Sequence, residues 1–308
     1  MKLSLQTGIL DTRVGVEECF RMMKDAGFEA AEINLDVILD AKMMREGDID
    51  AYLNMPQDEL NHLYDEHMAA AAKYGIVFTQ AHAPFPTRIA AQPRVNEKIT
   101  EILSKTARTC QYMSCPRMVV HAGYLADPCD KQEEWDYNMK LYTSLIPVLK
   151  ETGVMVCVEN LFRSTPEGIT PGPCWNGEEL ARYVDALNEL AGEELFGALI
   201  DVGHVALVKQ DIRAFINTVG HRLKALHIHD NNGIRDLHVL PYTGVIDWDA
   251  FCQGLKDIGY DNDLSFETFN ALRVFDAELT EQVVNMVGAT AQLFRRKVKG
   301  QSPIKMKA

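Results

Sequence analysis

The chain has 308 residues, 47% of them hydrophobic, and no apolar run approaches the about 20 residues that span a bilayer, so membrane insertion is not expected. A formal net charge of −13 disfavours nucleic acid as a partner, because affinity for a polyanion comes largely from Lys and Arg neutralising phosphates. Seven cysteines (Cys19, Cys110, Cys115, Cys129, Cys157, Cys174, Cys252) form no CxxC pair, and Met1-Lys2 leads in without a basic flank or long apolar stretch; both point to reduced thiols and a cytoplasmic protein.

In chain order, period and punctuation predict strands alternating with amphipathic helices, eight times over. A strand at 3–10 precedes a helix at 16–26, and one at 30–36 precedes a helix at 58–74. Strands at 77–85, 117–124 and 154–162 lead into helices at 96–113, 132–151 and 177–190. The last three pairs are 196–205 with 211–219, 223–230 with 248–258, and 263–269 with 277–296. Several helices stop on glycine, as in Asp25-Ala26-Gly27, Lys73-Tyr74-Gly75, Glu151-Thr152-Gly153 and Asp257-Ile258-Gly259.

Such a rhythm implies parallel strands joined by right-handed crossovers, and eight units close a (β/α)8 barrel. An open doubly wound sheet would normally carry a Gly-rich first turn, whereas Ile9-Leu10-Asp11-Thr12-Arg13 stands there. The reading is one α/β domain over 1–298. Within it, an inserted segment at about 37–57 carries a short extra helix over the barrel mouth, and 299–308 is a frayed Lys-rich tail.

In a barrel of this kind, polar residues at the C-terminal strand ends converge on one site. The third and fourth strands end in Gln80-Ala81-His82 and Val120-His121, and the fifth in Val158-Glu159-Asn160. The sixth, seventh and eighth end in Asp201-Val202-Gly203-His204, His227-Ile228-His229-Asp230 and Phe266-Glu267-Thr268. Of nine histidines, only His62, His67 and His221 fall away from this rim. One strand-end His or Glu is as readily a satisfied core group as a ligand, but several together need a cation to offset their charge and desolvation. Carboxylate and imidazole ligands without thiolate suit Mn, Co, Zn, Fe or Mg and do not choose among them. His229 shares a strand face with His227, so either imidazole could be the ligand, while Met155 and Cys157 read as barrel filling.

The series Glu159-Asn160, Asp201-Val202-Gly203-His204, His227-Ile228-His229-Asp230 and Glu267-Thr268 resembles the xylose-isomerase-like superfamily of sugar isomerases and epimerases over nearly the whole chain. That resemblance implies a divalent ion held by Glu159, Asp201, His227 and Glu267, with Glu159 and Glu267 also serving as acid and base. It implies proton abstraction next to a carbonyl, through a metal-stabilised enediolate, on a small sugar, sugar phosphate or cyclitol. The order His82, His121, Glu159, Asp201, His204, His227, Asp236, His238, Glu267 is also similar to the ligand series of endonuclease IV, a three-zinc phosphodiesterase of the same superfamily. Leu237 stands where the nuclease has an arginine, and the acidic chain lacks Lys/Arg-rich loops at the site. His82, His121, His204, His229, Asp236 and His238 are therefore candidates for further metal or for substrate. The acidic surface favours a single ion. The alternatives are the multi-zinc phosphodiesterase, a related lyase acting on oxidised sugars, and a catalytically silent sugar-binding barrel; assembly into a homo-oligomer is left open.

Overall fold

The computed structural model describes residues 1–125 and 129–301. Eight parallel strands form one sheet: β1 (Leu3–Gln6), β2 (Ala30–Asn34), β3 (Val77–His82), β4 (Arg117–Val120), β5 (Met155–Glu159), β6 (Phe196–Asp201), β7 (Leu223–His227) and β8 (Leu264–Phe266). Neighbours pair in sequence order, and β8 returns to pair with β1 through Leu3 and Leu264. The ring closes between β7 and β8, where Ile228 N–H donates to the Ser265 carbonyl (2.9 Å) and Glu267 N–H to the Ile228 carbonyl (3.1 Å). This is the expected (β/α)8 barrel.

The strands are shorter than their sequence runs. Residues 8–10 belong to the helix Gly8–Val14, 202–205 to the helix Val202–Leu207, and 269 opens the helix Phe269–Val274. At β6 the cause is local: the Asp201 carboxylate accepts from His204 N–H (2.8 Å) and caps a helix where the apolar run alone would continue the strand. Two expected helices are each split. Gln57–His62 and Asp65–Tyr74 replace 58–74; Lys131–Thr143 and Ile146–Thr152 replace 132–151, the second carrying Pro147 in its first turn, where the missing N–H costs nothing but would have broken a continuous helix. The 37–57 segment holds two short helices, Ala41–Glu46 and Asp50–Asn54. An antiparallel hairpin, Phe162–Thr165 with Gly168–Pro171, follows β5 and was not expected. Helix Thr280–Val298 closes the fold; most of the tail, 302–308, lies outside the described residues.

Inward side chains alternate along each strand and stack in layers. Val119, Cys157, Leu199 and Ala225 fill the middle of the barrel, with Met155 against them, so Cys157 and Met155 are filling. Below them, the Arg117 guanidinium donates to the Thr79 and Lys224 carbonyls (2.9 and 3.1 Å) and to Asp263 Oδ2 (2.5 Å), tying β3, β7 and the start of β8 across the N-terminal end. All its partners are satisfied, which marks a structural plug. The unsatisfied chemistry is at the other end.

Candidate metal centre

One step above the apolar layer, the same alternation brings in Glu32, Gln80, Glu159, Asp201, His227 and Glu267, each at most 7% exposed. His227 is central. Its Nδ1 lies 3.2 Å from Glu267 Oε2, 3.5 Å from Glu159 Oε1 and 3.9 Å from Asp201 Oδ2, and has no hydrogen-bond partner among the described residues. Ligand atoms around an ion with bonds of about 2.0–2.1 Å sit about 2.9–3.4 Å apart, so these four side chains converge with spacings close to those of a coordination shell. All four were expected from sequence.

Two further clusters flank this centre. His82 Nε2 and His121 Nε2 are 3.1 Å apart, and His121 Nε2 is 2.9 Å from Glu159 Oε2, itself a buried oxygen lacking a hydrogen bond among the described residues. On the other side, Asp236 Oδ2 lies 2.9 Å from His238 Nε2 and 3.6 Å from His204 Nε2, and Asp236 Oδ1 lies 3.9 Å from His229 Nε2. In four of these histidines the Nδ1 nitrogen meets a backbone carbonyl: His82 with Ala83 (2.9 Å), His204 with Asn160 (2.8 Å), His238 with Glu267 (3.1 Å) and, at longer range, His229 with Asp230 (3.4 Å). A carbonyl only accepts, so Nδ1 carries the hydrogen and Nε2 faces the site, the orientation a metal-ligating imidazole takes. His229 differs. Its Nε2 contacts both Asp201 oxygens (2.9 and 3.0 Å), so it holds that carboxylate in place.

Asp236 and His238 ride on the loop 231–247, which Asp230 pins. Its carboxylate accepts from the Asn231, Gly244 and Ile246 amides and from Trp248 Nε1 (2.9–3.3 Å). Gly244 passes so close that a Cβ would meet the Asn231 carbonyl at 2.0 Å. His238 adopts φ +45°, and its ring is sandwiched between His229 (3.8 Å) and Phe269 (4.2 Å).

Burial governs the titration of the ion-free site, and neighbouring charges then separate the groups. Burial lifts Glu267 to about 7, with His227 and His238 only partly opposing it. Glu159 is equally buried, yet the imidazoles of His121 and His227 outweigh that penalty and hold its carboxyl well below the usual range. Burial, then the charge of His121, pulls His82 down to about 4. For His227 burial is overcome by Glu267, Glu32 and Glu159, and for His204 by Asp201 and Asp236; both stay protonated well above the usual imidazole range. Without an ion, protons supply the positive charge that the carboxylates require.

Above the centre opens a cavity of about 680 Å³ whose walls include Asn34, Asp36, Asn270 and Arg273 around the faces of Phe85 and Phe269. Asp36 and, from the start of the 37–57 segment, Val37 and Asp40 line its rim. Sequence reasoning missed Glu32, which is fully buried and accepts from His227 Nε2 (2.9 Å) and Gln80 Nε2 (2.6 Å). The signal was present, since a carboxylate inside Ala30-Ala31-Glu32-Ile33 on a strand covered on both faces has no solvent to point to.

Residues 20–287 match the family described as xylose isomerase-like TIM barrel. Among curated relatives, protein y4fM of Sinorhizobium fredii is 27% identical over 172 residues, covering 54% of this chain and 52% of that protein. Protein MJ1311 of Methanocaldococcus jannaschii is 26% identical over 197 residues, 61% of this chain and 64% of that one, so the matched regions span less than two thirds of either relative. Among solved structures, an L-ribulose 3-epimerase superposes with TM-score 0.70 at 17% identity, covering 97% of this chain and 96% of that one. A D-tagatose 3-epimerase-like protein gives 0.66 at 20% (94% and 99%), and the Escherichia coli 3-keto-D-glucoside 4-epimerase YcjR gives 0.67 at 16% (94% and 99%). At these identities the superpositions establish the fold, and the family match establishes membership: the chain belongs to the xylose isomerase-like TIM-barrel family.

Proposed function

We propose that this protein is a divalent-metal-dependent epimerase or isomerase of a small sugar or a close relative of one. The observation that carries the reading is the convergence of Glu159, Asp201 and Glu267 on the unpartnered Nδ1 of a buried His227, beneath an open cavity that Glu159 and Glu267 help to line. An ion held by these four side chains would supply Lewis-acid polarisation of a substrate carbonyl and its neighbouring hydroxyl. The protein's own part is proton transfer. Glu159 and Glu267, buried carboxylates at the ends of β5 and β8, are the two groups that would serve as acid and base. One can take the proton from a carbon next to the carbonyl and the other return it, to the opposite face or to the next carbon. The rings of Phe85 and Phe269 give the cavity an apolar wall for a sugar's C–H side, and Asn34, Thr12 and Asn270 suit its hydroxyls. The sugar-epimerase activities named for the superposed structures agree with this reading.

A second reading concerns ion number. The backbone-anchored imidazoles of His82, His204 and His238 favour further ions in the two flanking clusters, against the single ion expected from the acidic surface. The test is elemental analysis of the purified protein together with deuterium uptake from solvent into a panel of ketoses and inososes. Metal with exchange supports the proposal; metal without exchange would leave a binding protein, and nicking of abasic DNA would move the chain to the phosphodiesterases.

A further inference from the structure

β2 supplies none of the four proposed inner ligands, yet it places Glu32 at the centre of a buried network of four hydrogen bonds. Oε1 of Glu32 accepts from His227 Nε2 at 2.9 Å and from Gln6 Nε2 at 3.4 Å; Oε2 accepts from Gln80 Nε2 at 2.6 Å and from the Ser265 hydroxyl at 3.0 Å. A fully buried carboxylate with both oxygens engaged is satisfied by the protein alone. Its place relative to His227 excludes it from the same coordination shell. Glu32 sits on Nε2, whereas the carboxylates of Glu159, Asp201 and Glu267 gather at Nδ1, the other nitrogen of the ring.

An imidazole has one hydrogen to place when neutral, and whichever nitrogen keeps it cannot bind an ion. His227 has no backbone carbonyl as an anchor, unlike His82, His204 and His238. We propose that Glu32 is the positioning residue of the centre: by accepting the Nε2 hydrogen of His227 it fixes the tautomer that turns a bare Nδ1 toward Glu159, Asp201 and Glu267. The same network reaches a second ligand. Gln6 Nε2 donates to Glu267 Oε1 at 2.7 Å while also touching Glu32, which leaves Glu267 Oε2 as the oxygen facing His227. Two of the four proposed ligands thus take their orientation from a hydrogen-bond network built from β1, β2 and β3. The inference rests on the proposed inner ion only for its metal-affinity arm.

Glu32→Gln and Glu32→Leu separate the contributions. The conservative change keeps an acceptor for His227 and removes the charge. Its new NH2 group can be accepted by Gln80, whose own Oε1 has no partner among the described residues and can turn toward it, and by the Ser265 hydroxyl. Glu32→Leu removes the acceptor. In ion-free, 15N-histidine-labelled full-length protein, long-range nitrogen–proton spectra, assigned with His227→Gln and recorded as pH is raised past the His227 titration, report which nitrogen keeps its hydrogen once the ring is neutral. The wild type and Glu32→Gln should show it on Nε2, and Glu32→Leu should show both tautomers. Titration with Mn(II) alone should give an affinity about tenfold weaker in Glu32→Gln and about 100-fold weaker in Glu32→Leu, the range seen when partners of ligating histidines are lost. An unchanged tautomer in Glu32→Leu, with Mn(II) affinity within twofold of wild type, would overturn the assignment. If Glu32→Leu does not fold, Glu32→Gln decides alone: an affinity within twofold of wild type overturns the proposal. A wild type that takes up no Mn(II) would count against the inner ion, and the nitrogen spectra would still decide what Glu32 does to His227.

Discussion

Replacing Asp236 and His238 by alanine together separates one ion from several. Asp236 Oδ1 has no hydrogen-bond partner among the described residues, and Oδ2 contacts His238 Nε2 at 2.9 Å and His204 Nε2 at 3.6 Å. His229 Nε2 is engaged by Asp201, so the double change leaves His204 as the one uncommitted imidazole of that cluster. Losing even a supporting partner of a ligand costs about 10–100-fold in affinity; losing two ligands outright should cost at least about 10³–10⁴-fold, or about 4–5.5 kcal/mol. The inner shell keeps all four side chains and loses one support, the His238 hydrogen bond to the Glu267 carbonyl (3.1 Å), worth about 1 kcal/mol. Metal per chain, measured by mass spectrometry after exhaustive dialysis, should therefore fall by one ion if the flanking cluster is a site. His238 also fills the space between His229 and Phe269, so Asp236→Asn alone, which keeps the ring, guards against loss through misfolding. A wild type with one ion that the double variant retains would refute the reading of the flanking imidazoles as ligands and leave the inner four standing.

Glu159→Gln and Glu267→Gln should each lower kcat by about 10²–10⁴-fold with smaller losses of folding stability; near-normal turnover in either would remove the paired-carboxylate chemistry. His227→Ala should strip metal at the centre, whereas His229→Ala, which only frees Asp201 to move, should weaken it less; the opposite order in elemental analysis would exchange their roles. Burial raises Glu267 to about 7, so below that pH the ion-free folded protein keeps a proton that an ion must displace. Calorimetric affinity for Mn(II) should therefore rise about tenfold per pH unit for that proton as pH climbs to 7, and Glu267→Gln should remove one proton from this dependence. Asp230→Ala leaves the Gly244 and Ile246 amides and Trp248 Nε1 without their acceptor and should cost about 2–4 kcal/mol in denaturant unfolding. A loss under about 0.5 kcal/mol would show that the loop 231–247 is held by other contacts.

The barrel was legible because its strands are buried on both faces and bounded by glycine stops, a pattern local in sequence. The proposed inner ligands were legible for a related reason: period two fixes which strand-end side chains point inward, and Glu159, Asp201, His227 and Glu267 are all buried there. Where each strand ends was less accessible. Asp201 ends its strand by capping a helix with its own carboxylate, and the apolar residue types that follow would have allowed an extended run as well. The hairpin after β5 did carry a turn signal, Thr165-Pro166-Glu167-Gly168, and the break at Pro147 was equally readable. Choosing between His227 and His229 was not a sequence question. Both point inward by period, and only the depth of Glu32 beneath one and the position of Asp201 beside the other separate them.

The arrangement also explains why Glu32 is buried where a hydrophobic residue would stabilise the barrel at less cost. Five carboxylates (Glu32, Glu159, Asp201, Asp236, Glu267) and six imidazoles share one end of the barrel, where burial penalises every charge among them. A cluster assembled for stability alone would pair each charge once and leave no lone pair over. Here His227 Nδ1, Glu159 Oε2 and Asp236 Oδ1 are left over, and they point into the clusters. Glu32 supplies the bias that frees the first of these for an ion: with the Nε2 hydrogen held by Glu32, it is the Nδ1 hydrogen that leaves when a cation arrives, whereas without that acceptor His227 could keep its one hydrogen at Nδ1, facing Glu267, and satisfy the cluster internally. The carboxylate on β2 holds the centre away from that self-satisfied state, which makes a cation the group best able to complete it.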